Sequence, residues 1–291
     1  MNTTPSNPRQ RNNSSMLLGV IAVIATFAMT WFAGYLVFAW YSILLALALF
    51  VLVSGHAITG RWTGALIDGR NVMSLSRFQI ILWTLLLLSA FLVAAVHNIF
   101  LAHNLLASSL QSGPLNISIQ PELWALMGIS TASLVGSPLI LSDKMTKTPN
   151  SSEVSSTFES LKQQGDEDST LGTKGHIVVN TDISKARWSD MITGEEVGNA
   201  SHLDVARLQM LFFTLITVLA YAVELGSKFS GDVSHGITDL PALDKSMIAL
   251  IGISHTGYLT AKAVPHSQSG SQQPAPTPMV LDATDEHPAV G

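Results

Sequence analysis

The chain is expected to be an all-α integral membrane protein with six transmembrane helices: an N-terminal hairpin followed by two parallel two-helix repeats. Three observations predict this. Only 12% of the 291 residues are charged while 47% are hydrophobic, and a soluble domain carries about 25% charged residues. The charges are segregated: none falls in 12–60, 78–121, 123–142, 208–223 or 246–261. Finally, one sequence module occurs twice.

The windows set the spans. A bilayer core about 30 Å thick takes roughly 20 apolar residues of helix, and an ionisable group at its centre costs several kcal/mol. Four spans follow directly: Leu75–Val96, Pro121–Leu141, Val205–Ser227 and Ser246–Val264. Met16–Ile58 is apolar over roughly twice one span, so it is read as two helices, Met16–Phe38 and Tyr41–Ile58. The turn is expected near Ala39-Trp40, where Trp31, Tyr35, Trp40 and Tyr41 would sit as interfacial aromatics. The first helix is expected to be retained, because its apolar run continues with no short signal-peptide core and cleavage site.

Orientation follows from the basic residues. With six spans and both termini cytoplasmic, 13 of the 15 lie inside, leaving Lys228 and Lys245 outside. A single crossing in 16–58 would give 11 and 4. The expected location is a plasma membrane of the bacterial inner-membrane type.

The repeat is carried by three blocks in the same order. Arg61-Trp62-Thr63 matches Arg187-Trp188-Ser189. Arg77 to Leu85 matches Arg207 to Leu215, sharing the arginine, Gln79 with Gln209 and Thr84 with Thr214. Ala125 to Ser130 matches Ala249 to Ser254. Each unit reads as a cytoplasmic lead-in, a span, an outer loop and a returning span, and two such units are related by an axis along the membrane normal. The expected organisation is a disordered cytoplasmic N-terminus (1–15), the hairpin (16–58), repeat 1 (59–141), a flexible cytoplasmic linker (142–185), repeat 2 (186–264) and a disordered cytoplasmic tail (265–291).

Within the repeats, Ser74 and Asp204 precede the shared arginines by three residues, the spacing of a helix N-cap. Trp62, Arg77, Trp188 and Arg207 are expected to be interfacial anchors, the arginines snorkelling and the tryptophans riding on short surface helices. Gln79 and Gln209 are expected to bond across helix interfaces. Gly128, Ala132 and Gly136 in the fourth span, and Gly252 in the sixth with Thr256 and Thr260, form small-residue stripes. These predict that the two spans pack together, or that a stripe meets a second copy.

The candidate polar path is Ser130, Thr131, Ser254, His255 and Thr256, with His255 the ionisable residue well inside a span. A neutral histidine hydrogen-bonded between helices is the competing reading. His97, His103 and Glu224 near the outer ends could gather, but the histidines are six positions apart, which puts them on different helix faces. The soluble segment 143–207 holds 18 of the 35 charged residues. Its first part, 146–174, has too few apolar residues to bury a core, and 175–180 resembles a short strand. Gly194-Glu195-Glu196 and Asp68-Gly69-Arg70-Asn71 read as turns.

Function is bounded mainly by exclusion. With no cysteine, disulfide scaffolds, thiolate metal sites and cysteine nucleophiles are ruled out. A net charge of −5 points to no partner, and nucleic acid is not one. Phosphate-binding loops, HExxH, GxSxG and paired intramembrane carboxylates are absent from the sequence. No catalytic residue, metal or cofactor is expected. The leading expectation is a non-enzymatic scaffold or signalling component working through its cytoplasmic face on an unidentified protein partner, with the lipid bilayer its other partner and homo-oligomerisation open. The alternative is a small transporter or channel with a polar path between spans four and six.

Overall fold

The computed structural model describes residues 19–21, 36–104, 113–165 and 171–270. These are mostly helical: α1 Leu36–Thr59, α2 Leu75–Asn104, α3 Pro121–Lys144, α4 Ser151–Gln163, α5 Val205–Ser230 and α6 Lys245–Ala263. Two strands, β1 Leu171–Lys174 and β2 Ile177–Asn180, pair antiparallel. Helices α1, α2, α3 and α5 are long and apolar enough to cross a membrane. Helix α6, with 19 residues, is the more polar partner of α3.

Helix starts follow local chemistry. Ser74 Oγ accepts from the Arg77 N–H at 3.5 Å, and Asp204 Oδ1 from the Arg207 N–H at 3.1 Å, both at the anticipated N-caps. Asp244 caps α6 through the Ser246 N–H, and Pro121 opens α3 where its missing N–H costs nothing.

The central core joins α1, α2, α3, α5 and α6. Trp40, Trp83, Leu123, Leu126, Tyr221, Leu225 and Phe229 are fully buried in it. Trp40 corrects one expectation. Helix α1 runs through Ala39-Trp40 without a turn, because the indole N–H has a buried acceptor, Ser89 Oγ at 3.0 Å, and its ring packs on Phe229. Most of the expected first arm, 16–38, lies outside the described residues. At its start, a Cβ on Gly19 would lie 3.1 Å from Val53 Cγ1, so the short helical piece at 19–21 packs on the later half of α1.

The bundle has two dissimilar ends. At one, the loop 113–120 meets 231–244: Ser118 and Asp239 form a parallel bridge, and Asn98 bonds both the N–H and carbonyl of Ile237. At the other, 60–74, 145–165, 171–204 and 264–270 build a folded platform. The expected flexible linker is thus corrected. Helix α4 is capped by Asn150, Thr157 donates to the Val197 carbonyl at 2.6 Å, and Leu161 packs with Leu171 and Ala200. Few apolar residues suffice, because the segment rests on the helix ends instead of enclosing a core of its own. The tail is likewise tied down as far as residue 270: Asn150 donates to Gln268 and Gly270 to Thr148. Residues 1–15 and 271–291 lie outside the described residues.

The lead-ins are not surface helices. They form 3-10 turns, 64–66 and 188–191, whose residues Leu66 and Met191 belong to one hydrophobic cluster. Arg61 donates to the Ile183 and Ser184 carbonyls. Asn71 and Asn180 exchange side-chain amide bonds to each other's carbonyls at 2.9 and 3.0 Å. Gly175 turns the β-hairpin at φ +58, a left-handed conformation, with the Met145 carbonyl only 2.4 Å from where a Cβ would sit.

Candidate functional site

The site is where the platform meets the helix ends. Four buried cations converge there from separate elements: Arg70 from the turn before α2, Lys144 from the end of α3, Arg207 from the first turn of α5 and Lys262 from the end of α6. A single loop answers them. Glu195 pairs with Arg70 at 2.7 Å, with Lys262 at 2.6 Å and with Arg207. Glu196 pairs with Lys144 and accepts the His266 and Ser267 N–H groups at 3.0 and 3.2 Å.

Asp68 and Asp204 complete the balance, Asp68 accepting from Arg70 Nε and Nη2 and Asp204 lying 3.5 Å from Arg207 Nε. Four cations thus face four carboxylates. Burying charge costs several kcal/mol per ion unless partners and hydrogen bonds replace water, and here they do. Lys144 Nζ also donates to the Lys262 and Val264 carbonyls at 2.5 and 2.7 Å, using the acceptors that the end of α6 leaves unpaired. Burial alone would raise the Glu195 carboxyl, but Arg207, Arg70 and Lys262 outweigh it and hold Glu195 well below the ordinary carboxylate range. Burial likewise opposes the charge of Arg70, and Glu195 and Asp68 keep its guanidinium above its usual value.

From this cluster a line of polar contacts enters the α3–α6 interface. Lys262 Nζ donates to Ser137 Oγ at 2.5 Å, Tyr258 donates to the same oxygen at 3.1 Å, and Ser133 Oγ lies 2.6 Å from His255 Nδ1. Next come Ser130 and Ser254, buried hydroxyls with no hydrogen-bond partner among the described residues. Beyond them the interface is apolar, with Leu123, Leu126 and Ile251 buried.

The anticipated residues are therefore divided. Ser130, Ser254 and His255 face the α3–α6 contact, whereas Thr131 and Thr256 are exposed on the outside of their helices, Thr256 donating back to Gly252. These five do not share one cavity, because neighbouring helix positions point about 100° apart.

Helices α3 and α6 pack together, with Gly136 and Gly252 of the small-residue stripes facing the partner helix but Gly128 and Ala132 outside the contact. Gly128 has nothing within 4 Å of its Cβ position and Ala132 is exposed, while Gly136 and Gly252 touch only Leu259 and Ile129 side chains. The contact runs along Ser130, Ser133, Ser137 and Leu141, a face whose hydroxyls have acceptors and donors to meet.

The four expected anchors are divided too. Arg207 is buried in the ion cluster, and Arg77 folds back to donate to the Ile67 carbonyl at 2.9 Å. Trp62 and Trp188 are exposed, stacked on His56 and edge-on to Phe78. Gln79 is buried and bonded to Thr214, but Gln209 is exposed. His97 Nε2 lies 3.0 Å from the Val233 carbonyl, and Glu224 faces outward.

Glu195 and Glu196 were missed by sequence reasoning. The available signal was the imbalance that places Arg70, Lys144, Arg207 and Lys262 at helix ends, beside the most acidic segment of the chain.

Comparison with family models, with curated proteins and with solved structures finds no match to this chain. The class is thus defined by the fold itself: a mostly helical protein with, among the described residues, four helices long and apolar enough to cross a membrane, compatible with a multi-pass membrane protein.

Proposed function

We propose that this chain is a non-enzymatic, six-span protein of the bacterial inner-membrane type, made of a hairpin and two parallel repeats, with both termini cytoplasmic. It acts as a scaffold or signalling component through its platform face. One observation carries this reading: Glu195 and Glu196 fasten a folded platform to the ends of α3, α5 and α6 and to the turn before α2. A protein gripping that platform grips the whole bundle, and a shift of any of these helices would be felt there.

The transporter reading has some support in the polar line from Glu195 through Lys262, Ser137 and Ser133 to His255. That line stops at Ser130 and Ser254, and in the other half of the interface the buried side chains among the described residues are apolar, Leu123, Leu126 and Ile251. An ion path needs polar groups that replace the ion's hydration shell, and that half of the interface buries none among the described residues, so the scaffold reading is preferred.

The test places a photo-crosslinking residue at exposed Ser156 on α4, and separately at exposed Ser234 at the opposite end, in the full chain in native membranes. The expected result is a defined protein adduct from position 156, lost in Glu195→Gln and absent from position 234. Proton flux in liposomes that falls in His255→Ala, with no adduct from position 156, would overturn the scaffold reading in favour of transport.

A further inference from the structure

We propose that the groove between the first turns of α2 and the last turns of α3 binds an anionic phospholipid in the leaflet on the platform side. The inference rests on the chain spanning a bilayer, not on any protein partner of the platform. The groove has a volume of about 710 Å³ and is chemically split along its length. Ile80, Ile81, Leu134 and Leu141 line its apolar part. Arg77 and Lys174 stand at the platform side.

Its charge is positive. Three cations and one anion line it: Arg70, Arg77 and Lys174 against Asp68. Asp68 is already taken by Arg70 through two guanidinium nitrogens, at 2.9 and 2.7 Å. Arg77 gives one N–H to the Ile67 carbonyl, and among the described residues no carboxylate pairs with Arg77 or Lys174. Two positive charges are therefore left for a ligand.

A separate observation points into the same groove. Ser76 lines it, is 2% exposed, and its hydroxyl has no hydrogen-bond partner among the described residues. A buried hydroxyl without an acceptor is unfavourable unless something bound there accepts its hydrogen bond.

A glycerophospholipid with a net negative headgroup supplies each missing partner. Its phosphate oxygens accept from Arg77 and Lys174, an ester carbonyl accepts from Ser76, and an acyl chain covers Ile80 and Leu134. A free phosphate would leave the apolar part uncovered. A zwitterionic lipid would bring its own cation towards the two basic side chains.

The test uses the full chain in nanodiscs of phosphatidylcholine and phosphatidylglycerol, with lipid retained after release read by native mass spectrometry. One phosphatidylglycerol per chain is expected to be retained over phosphatidylcholine. Arg77→Gln with Lys174→Gln should lower that affinity about thirtyfold, the effect of two basic groups near anionic lipid. Leu134→Trp, which keeps the charges and fills the acyl part, should also lose the lipid. Lys228→Gln, at the opposite end, should not. Circular dichroism checks folding, and exposed Lys174→Gln alone still reads the headgroup contact if the double variant does not fold. Equal retention of the two lipids, undiminished retention in folded Arg77→Gln/Lys174→Gln or Leu134→Trp, or inorganic phosphate binding as tightly as the lipid would each overturn the proposal.

Discussion

Gln79 on α2 donates its side-chain N–H to Thr214 Oγ1 on α5 at 2.5 Å, both residues buried. In the aligned sequence blocks Gln79 corresponds to Gln209 and Thr84 to Thr214, yet Gln209 is exposed. Helix α2 buries Gln79, Trp83, Leu86 and Ala90, whereas α5 buries Met210, Thr214, Thr217 and Tyr221, one position later in the alignment. One residue is about 100° of rotation. The two helices thus use similar sequences with different faces inward: α2 packs on α1, α3 and α5, and α5 on α1, α2 and α6.

The first prediction concerns that bond. Gln79→Leu and Thr214→Val should each lower the melting temperature in detergent, and the double variant should lose less than the sum of the two. The coupling energy from a double-mutant cycle is expected near 1 kcal/mol, within the range for hydrogen bonds between membrane helices. Gln209→Leu should be close to neutral. Strict additivity would remove the bond from any stabilising role.

The second concerns Glu195. Glu195→Gln leaves Arg70, Arg207 and Lys262 facing one neutral amide, and removing one partner of a buried ion pair costs about 3–5 kcal/mol. The loss should be local first. Hydrogen exchange should speed up in 193–204 and in β2 before it does in α2, since the core around Trp83 and Leu126 is a hydrophobic cluster separate from those of the platform. Uniform protection across the platform in the variant would contradict the clamp.

The pH dependence has a definite sign. The folded state holds Glu195 below the ordinary carboxylate value of 4.5, so its stabilisation is complete above that value and is lost as pH falls from there through the lowered folded value. The stability difference between the wild type and Glu195→Gln should be flat at neutral pH and shrink only below about pH 4.5. A difference that already decays between pH 7 and 5 would assign the titration to another group.

Much of this architecture was legible in the residues, and the exceptions have physical causes. The charge-free windows located α2, α3 and α5, and spacing located the caps at Ser74 and Asp204, because both signals are local. The α3 face was only partly assigned because Gly128-Ala132-Gly136 and Ser130-Ser133-Ser137 recur at nearly the same interval. Smallness and hydroxyl content are equally good reasons for a helix to be approached, and only the partner decides. Here α6 presents His255, Tyr258 and Lys262, which require hydrogen-bond partners. Trp40 could pass for an interfacial aromatic until Ser89, 49 positions away, supplied an acceptor. The cluster at Glu195 was hidden for the same reason: its partners lie in 70, 207 and 262, and charge complementarity over such separations is invisible without the fold.

The last prediction tests a close backbone approach that carries no motif. The 3-10 turn after α1 sits directly on that helix: a Cβ on Gly64 would lie 2.4 Å from the Gly55 carbonyl oxygen, and one on Gly55 would lie 2.7 Å from the Ala65 nitrogen. Unlike a side-chain clash, neither can be relieved by a rotamer change, because backbone faces backbone. Gly64→Ala must therefore push the turn off α1 and carry Arg61 away from the Ile183 and Ser184 carbonyls, at an overpacking cost of about 1–3 kcal/mol. Gly69→Ala, with nothing within 4 Å of its Cβ position, serves as the matched control and should be much milder. The readout is thermal melting together with protease cleavage in 183–187. A Gly64→Ala variant that melts like Gly69→Ala and keeps 183–187 protected would show that the turn and α1 are free to separate.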